Sequence, residues 1–257
     1  MKDNIFRDND AVSEIVDYSI ILGIIVLATG IIIVAGVPML ENMQESQYTE
    51  NIRQSFEVMA LNMNKVVFGN APSQSVELKM YGGALSVGRD NYVRIDLQVW
   101  NSSANAPEIE SAVGHVVKNI ENSYQDTIIS YENTGVWAKY SDGEAVMVSE
   151  PRFTYANNAM VIPVAKIDGR QSLSGSGLVR VTADGGRKNI HLYENVSQMN
   201  ISVTSDYFEA WGRYFNESLQ MPVVMVDSNN RTVNCSKNYL NNIDVYVIES
   251  PMKVTID

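Results

Sequence analysis

Cysteine is nearly absent from this chain: Cys235 stands alone. One thiol makes no internal disulfide and no multi-cysteine metal site. Any exported domain here must be held by its core and its hydrogen bonds. Cys235 reads as a small buried residue, with an intermolecular bridge as the alternative. Histidine is almost as scarce. His115 and His191 each fall within an alternating run, where a satisfied strand residue is the plain reading. No zinc-protease, nucleophile-elbow, P-loop or dinucleotide fingerprint occurs, and Gly175-Ser176-Gly177 lacks the elbow spacing. Asp168-Gly169 and Asp184-Gly185 read as turns, since no calcium-loop spacing surrounds them. No catalytic residue, metal ligand or cofactor is assigned, and the chain is not expected to be an enzyme.

Basic residues are also few. Lys and Arg number 19 against 30 Asp and Glu, giving a net charge of −11 and a pI near 4.7. Lys and Arg are scattered singly, so no basic stripe exists to neutralise phosphates and no nucleic-acid partner is expected.

What the chain does have is one long apolar run. Ile20 to Leu40 reads IILGIIVLATGIIIVAGVPML without a charge, closed by Asp17 and Glu41. About 20 apolar residues cross a hydrocarbon core, and in lipid they must be helical. Lys2 and Arg7 precede the run and the next basic residue is Arg53. That asymmetry favours a cytoplasmic N-terminus and an external C-terminal domain. A cleaved secretory signal would have a shorter apolar region, and Ile33-Val34-Ala35 is a weak peptidase site. Pro38 should kink the outer end. Gly30 and Gly36 lack the spacing of a helix-dimer motif.

Beyond Glu41 the run becomes amphipathic. Tyr48, Ile52, Phe56, Met59, Met63 and Val66 recur at helical spacing, with Glu50, Arg53, Gln54, Glu57 and Asn64 opposite. No Gly or Pro lies between Leu40 and Phe68, so the spacing predicts one helix from about Ser13 to Phe68, ended by Gly69, Asn70 and Pro72.

These residues also carry a family likeness. Asp10-Ala11-Val12-Ser13-Glu14-Ile15-Val16-Asp17-Tyr18 ahead of an apolar span resembles the opening of archaeal type IV pilin-like surface proteins. The likeness continues through Ser55 to Ala60, Val76 to Gly83, and Val203 to Tyr214. The resemblance implies processing by a prepilin peptidase after Ala11, leaving Val12 first. It also implies that Glu14 sets subunit register in a filament by pairing with a neighbour's terminal amine. Just ahead of Ala11 stands Asp10, where the family usually has Arg or Lys. Without the resemblance, Glu14 is a carboxylate in the first turns of a helix, favourable with its dipole.

From Ser75 the period changes to alternation. Residues 75–81 and 92–100 alternate apolar and polar, with Gly82-Gly83 read as a hairpin turn and Ala84 to Val87 between them as a third strand. Ser102 to Pro107 reads as a loop. Further strands are expected at 114–120, 127–132, 136–141, 145–149, 159–167, 178–184, 188–194, 199–205, 223–227 and 244–250. Asp142-Gly143 and Asp184-Gly185-Gly186 read as tight turns, and Gln171 to Gly177 as a Ser/Gly-rich loop. Tyr207, Trp211 and Phe215 place one helix at 207–218, capped by Ser205-Asp206, its aromatic stripe read as core packing, with a carbohydrate-stacking surface as the alternative.

Six N-x-Ser/Thr sequons occur, at Asn101, Asn195, Asn200, Asn216, Asn230 and Asn234. They fit an external glycoprotein domain. The expected fold is α+β: a cytoplasmic leader or tail at 1–11, a transmembrane anchor continuing as an amphipathic helix at 12–70, and an extracellular, mainly antiparallel, sandwich-like β domain with one short helix at 71–257. The expected role is a single-pass, pilin-like surface protein, a subunit of a filament or envelope assembly. Its expected partners are lipid, other copies or pilin-like subunits, and a prepilin peptidase. The alternative is a non-polymerising anchored ectodomain that binds envelope components or glycans.

Overall fold

The computed structural model describes residues 8–69, 71–101, 103, 105–141 and 143–257, the side chains of 8–13 and 110–113 excepted. The chain divides into Met1–Tyr48 and Thr49–Asp257. Helix α1 spans Asp8–Val67 without a break, so Pro38 is carried inside it. It begins earlier than expected and ends at the predicted place. The part up to Tyr48 exposes its apolar side chains, Ile20, Leu27, Ile32 and Leu40 among them. It is a helix near the N-terminus, long and apolar enough to cross a membrane.

In the second unit the stripe read from the sequence is the buried face. Ile52, Phe56, Met59, Met63 and Val66 are at most 4% exposed. They pack with Leu78, Met80, Val181, Ala183 and Val254 into one of two apolar cores. On the solvent side Arg53 pairs with Glu50 and Glu57, each at 2.6 Å.

Among the described residues, eleven strands form one connected, mostly antiparallel sheet. They are β1 (Ser73–Asn101), β2 (Ala106–Tyr124), β3 (Thr127–Glu132), β4 (Gly135–Tyr140), β5 (Val146–Ser149), β6 (Thr154–Ala156), β7 (Ala159–Asp168), β8 (Gln171–Gly185), β9 (Asn189–Thr204), β10 (Val223–Asp227) and β11 (Thr232–Ile256). Two long strands organise it. One edge of β1 pairs with β2; the other pairs with β8 along Ser73–Val87 and with β9 along Tyr92–Val99. β11 pairs with β9 and then β8 on one edge and with β7, in parallel, on the other. Helix α2 (Phe208–Glu217) buries Trp211 and Phe215 in the second core, against Ile95, Ile201, Val203 and Val233.

Several expectations are corrected. Gly82-Gly83 is no hairpin turn: β1 runs through it, and the pairing with β8 slips between Tyr81 and Ala84. Gly82 has φ +110°, and a Cβ on Gly83 would lie 2.1 Å from the Ser123 carbonyl oxygen. The pair is a bulge that lets two strands approach. Gln171 to Gly177 is no loop but the first half of β8, because its backbone is paired by β1 whatever its composition. The runs at 188–194 and 199–205 are one strand, β9, kinked where Asn195 takes φ +62°. β6 and the first half of β11 were not foreseen. Asp142 lies outside the described residues. Helix α2 has Tyr207 at its N-cap with no side-chain cap bond; Ser205 Oγ instead accepts from the Tyr207 N–H at 3.0 Å, just ahead of the helix.

Candidate functional site

The described residues place one concentration of buried polar groups, at the β3–β4 turn. β3 ends at Glu132, and the chain reverses through Asn133 (φ +42°) and Thr134 (φ +74°) into Gly135. Left-handed Asn is ordinary in such turns, but a β-branched residue there is strained. Glu132, Asn133 and Thr134 are all 0% exposed. Six separate segments hold them. Asn64 of α1 donates from Nδ2 to the Thr134 carbonyl at 3.0 Å and accepts from the Tyr131 hydroxyl at 3.1 Å. The Ala165 N–H of β7 donates to Asn133 Oδ1 at 2.9 Å. The Arg152 N–H, in the β5–β6 connection, donates to Thr134 Oγ1 at 2.9 Å.

The Glu132 carboxyl joins the remaining three. Its Oε1 accepts from Trp211 Nε1 of α2 at 2.8 Å. Its Oε2 accepts from Asn91 Nδ2 at 2.6 Å and from Ser205 Oγ at 2.9 Å. Burial pushes its pKa up to about 7, against the three donors, with the nearby Glu121 charge adding to the rise. Glu121 itself accepts from the Tyr207 hydroxyl at 2.8 Å and from Asn119 at 2.6 Å. Burial raises the Tyr207 phenol further. The cluster can hold or release a proton near neutrality. Glu132 is sealed from solvent, so what this chemistry reaches is the packing of α1, α2 and the sheet.

A second group lies where β2, β7, β9 and β11 meet. Glu249 stands 3.3 Å from Lys166 Nζ, 3.5 Å from His115 Nδ1 and 3.7 Å from His191 Nε2. Burial lowers the His115 pKa, opposed by Glu249. His191 is half exposed. Among the described residues no three His, Cys, Asp or Glu side chains are grouped so as to hold a metal. Cys235 is buried in the α2 core, and burial pushes its thiol up to about 12.

The residues singled out in the sequence are not brought together. Ala11 and Val12 lie in α1, but their side chains fall outside the described residues. Glu14 is exposed near the start of that helix. Asn101 Nδ2 donates to Glu108 at 2.8 Å, Asn230 Nδ2 to Asp227 at 2.8 Å, and Asn234 Nδ2 faces the Met225 sulfur at 4.0 Å. Asn195, Asn200 and Asn216 are exposed, on β9, β9 and α2. Sequence reasoning missed the Glu132 cluster. TIISYE alternates like any half-exposed strand, and nothing in it marks Glu132 as an inward carboxyl. Only Asn133-Thr134-Gly135 between two strands signals the turn.

The model of a family of unknown function (DUF7289) matches residues 11–255. Two proteins of Archaeoglobus fulgidus, each described as uncharacterized, are similar to the chain. One is 26% identical over 81% of this chain and 84% of its own length. The other is 20% identical over 82% and 83%. No solved structure matches.

Proposed function

This chain belongs to the DUF7289 family, and we propose that it is a single-pass surface protein of pilin-like build, a subunit of a filament or envelope assembly. Helix α1 is the anchor, with its N-terminus in the cytoplasm and the β unit outside. The observation that carries this reading is the continuity of α1: a charge-free stretch with exposed side chains runs, in the same helix, into an amphipathic stretch that packs on the sheet. Outside lipid the Ile20–Leu40 surface is covered most simply by identical helices, and burying it is a strong drive to assemble. Glu14 then sits where a partner's amine offsets the cost of a carboxylate at the edge of lipid. The protein's work in this reading is structural or adhesive rather than enzymatic.

The test is the intact mass and N-terminal sequence of the protein taken from its native membrane. A chain beginning at Val12 is expected, together with release of the protein by shear. A chain beginning at Met1, extracted by detergent as a monomer, would instead establish the non-polymerising anchored ectodomain. One observation favours that second reading: the outer face of the β1–β9–β11 sheet carries polar residues in register, Gln98 with Gln198 and Asp96 with Asn200.

A further inference from the structure

The face of β1, β9 and β11 that points away from α2 is polar yet carries no net charge. Its register builds rows. Gln98, Gln198 and Asn238 pair across the three strands in one row. Asp96, Asn200 and Ser236 form the next, and Arg94, Ser202 and Asn234 the third. Directly paired residues share a face, and alternate residues of one strand share it too. The only ionic side chains in these rows neutralise each other, Arg94 Nε lying 2.9 Å from Asp96 Oδ2. That composition stands out on a chain of net charge −11. A face that only met water would be satisfied by the Lys and Glu that solvate most strands.

The face is also shaped. A cleft of about 250 Å³ opens on it, lined by Arg94, Asp96, Gln98, Gln198 and Asn200, with Ile109 at 70% exposure on its rim. Gln198 Nε2 donates to Ser236 Oγ at 3.2 Å. Among the described residues, none engages the side-chain amides of Gln98, Asn200 or Asn238, and Asn200 and Asn238 are exposed. Tyr92, 51% exposed, lies on the same face one row beyond Arg94 and offers an aromatic ring. A primary amide donates and accepts at once, as vicinal hydroxyl groups do. A ring face packs against the C–H face of a sugar ring.

We propose that this face binds a neutral, hydroxyl-rich polymer, a polysaccharide lying across β1, β9 and β11. The amides of Gln98, Asn200 and Asn238 exchange hydrogen bonds with its hydroxyls, and Tyr92 packs on a sugar ring. The absence of net charge selects against acidic and basic polymers alike. This function rests on the outward placement of the β unit proposed above, but its chemistry does not depend on assembly.

The test is affinity electrophoresis of the full chain in detergent, through gels containing soluble mannan, dextran or dextran sulfate. Retardation by mannan or dextran, unchanged between low and high salt, is the expected result. The double variant Gln98→Thr/Asn200→Thr, which keeps strand-forming residues, should weaken it on the order of tenfold. The same variant should keep the parent's melting temperature. Retardation by dextran sulfate alone, abolished by salt, would overturn the proposal. So would neutral-polymer binding that the variant leaves intact, or a native protein carrying a glycan on Asn200. A variant that only dissociates a dimer would assign the face to a second copy and overturn it as well. Because the chain is in detergent, none of these outcomes bears on topology or on processing at Val12.

Discussion

Glu132→Gln is the substitution with the most to say about how this fold is held. The Glu132 carboxyl is raised to about 7 in the folded chain, mainly by burial, from an ordinary value of 4.5. Between those two values the folded state binds the extra proton, so stability falls as pH rises through the window. At about 1.4 kcal/mol per pKa unit the penalty reaches roughly 3 kcal/mol above pH 7. For a unit of this size that is on the order of 6–12 °C in melting temperature. A glutamine fits the site. Its oxygen faces Trp211, which only donates, and its NH₂ faces the Ser205 hydroxyl and the Asn91 amide, both able to accept. The variant should therefore melt higher than the parent at pH 8 and lose the decline between pH 5 and 7.5. The intrinsic fluorescence of the folded parent should titrate in the same window, because Trp211 donates to this carboxyl and Trp137 Nε1 to the Glu132 carbonyl at 3.3 Å. An identical decline in Glu132→Gln, or a fluorescence titration that persists in it, would refute the reasoning.

His115 acts in the opposite direction: burial lowers its folded pKa, so its contribution is lost as pH falls below 6.5, and His115→Gln should flatten the acid side of the same melting profile. Phe56→Ala, at a residue 1% exposed, should cost about 3–5 kcal/mol in denaturant titration of the β unit, with α1 still helical by circular dichroism. Gly83→Ala puts a methyl against the Ser123 carbonyl and should cost about 1–3 kcal/mol, whereas Gly175→Ala, where a Cβ meets nothing within 4 Å, should feel only its own positive φ; equal losses would sink the bulge account. Asn64→Leu removes the donor to the buried Thr134 carbonyl and should cost about 1–3 kcal/mol, read as a lower melting temperature and faster amide exchange in the β3–β4 turn.

The fold was legible wherever one periodicity served one environment. The stripe from Ile52 to Val66 is the buried face of α1, because a helix with one apolar side has only one way to hide it. Trp211 and Phe215 are core residues for the same reason. Legibility failed where glycine served close approach rather than reversal. Gly82-Gly83 and the Gly175–Gly177 stretch carry the composition of turns, yet neighbouring strands pair their backbones. Local chemistry cannot report a partner dozens of residues away. Glu132 was missed for a related reason: an acid at the end of a strand normally faces water, and its burial follows from α2 arriving with Trp211 and Ser205.

The two apolar cores explain why the unit collapses but not why it collapses in one register. Met59, Met63, Met80 and Met252 line the α1 core, and methionine fills space without strongly specifying it. A helix seated on such a surface could slide by a turn at small cost in buried area. Directional bonds forbid that. Asn64 meets the Thr134 carbonyl and the Tyr131 hydroxyl in only one seating of α1. Ala165 meets Asn133 in only one placement of β7, and Trp211 meets Glu132 in only one placement of α2. A slip of any of these elements leaves a buried carbonyl, amide or carboxyl unpaired, which costs more than the slip saves. The polar turn, with its strained threonine and its buried carboxyl, therefore gives up some stability to select one seating of the Thr49–Val67 part of α1 on the sheet.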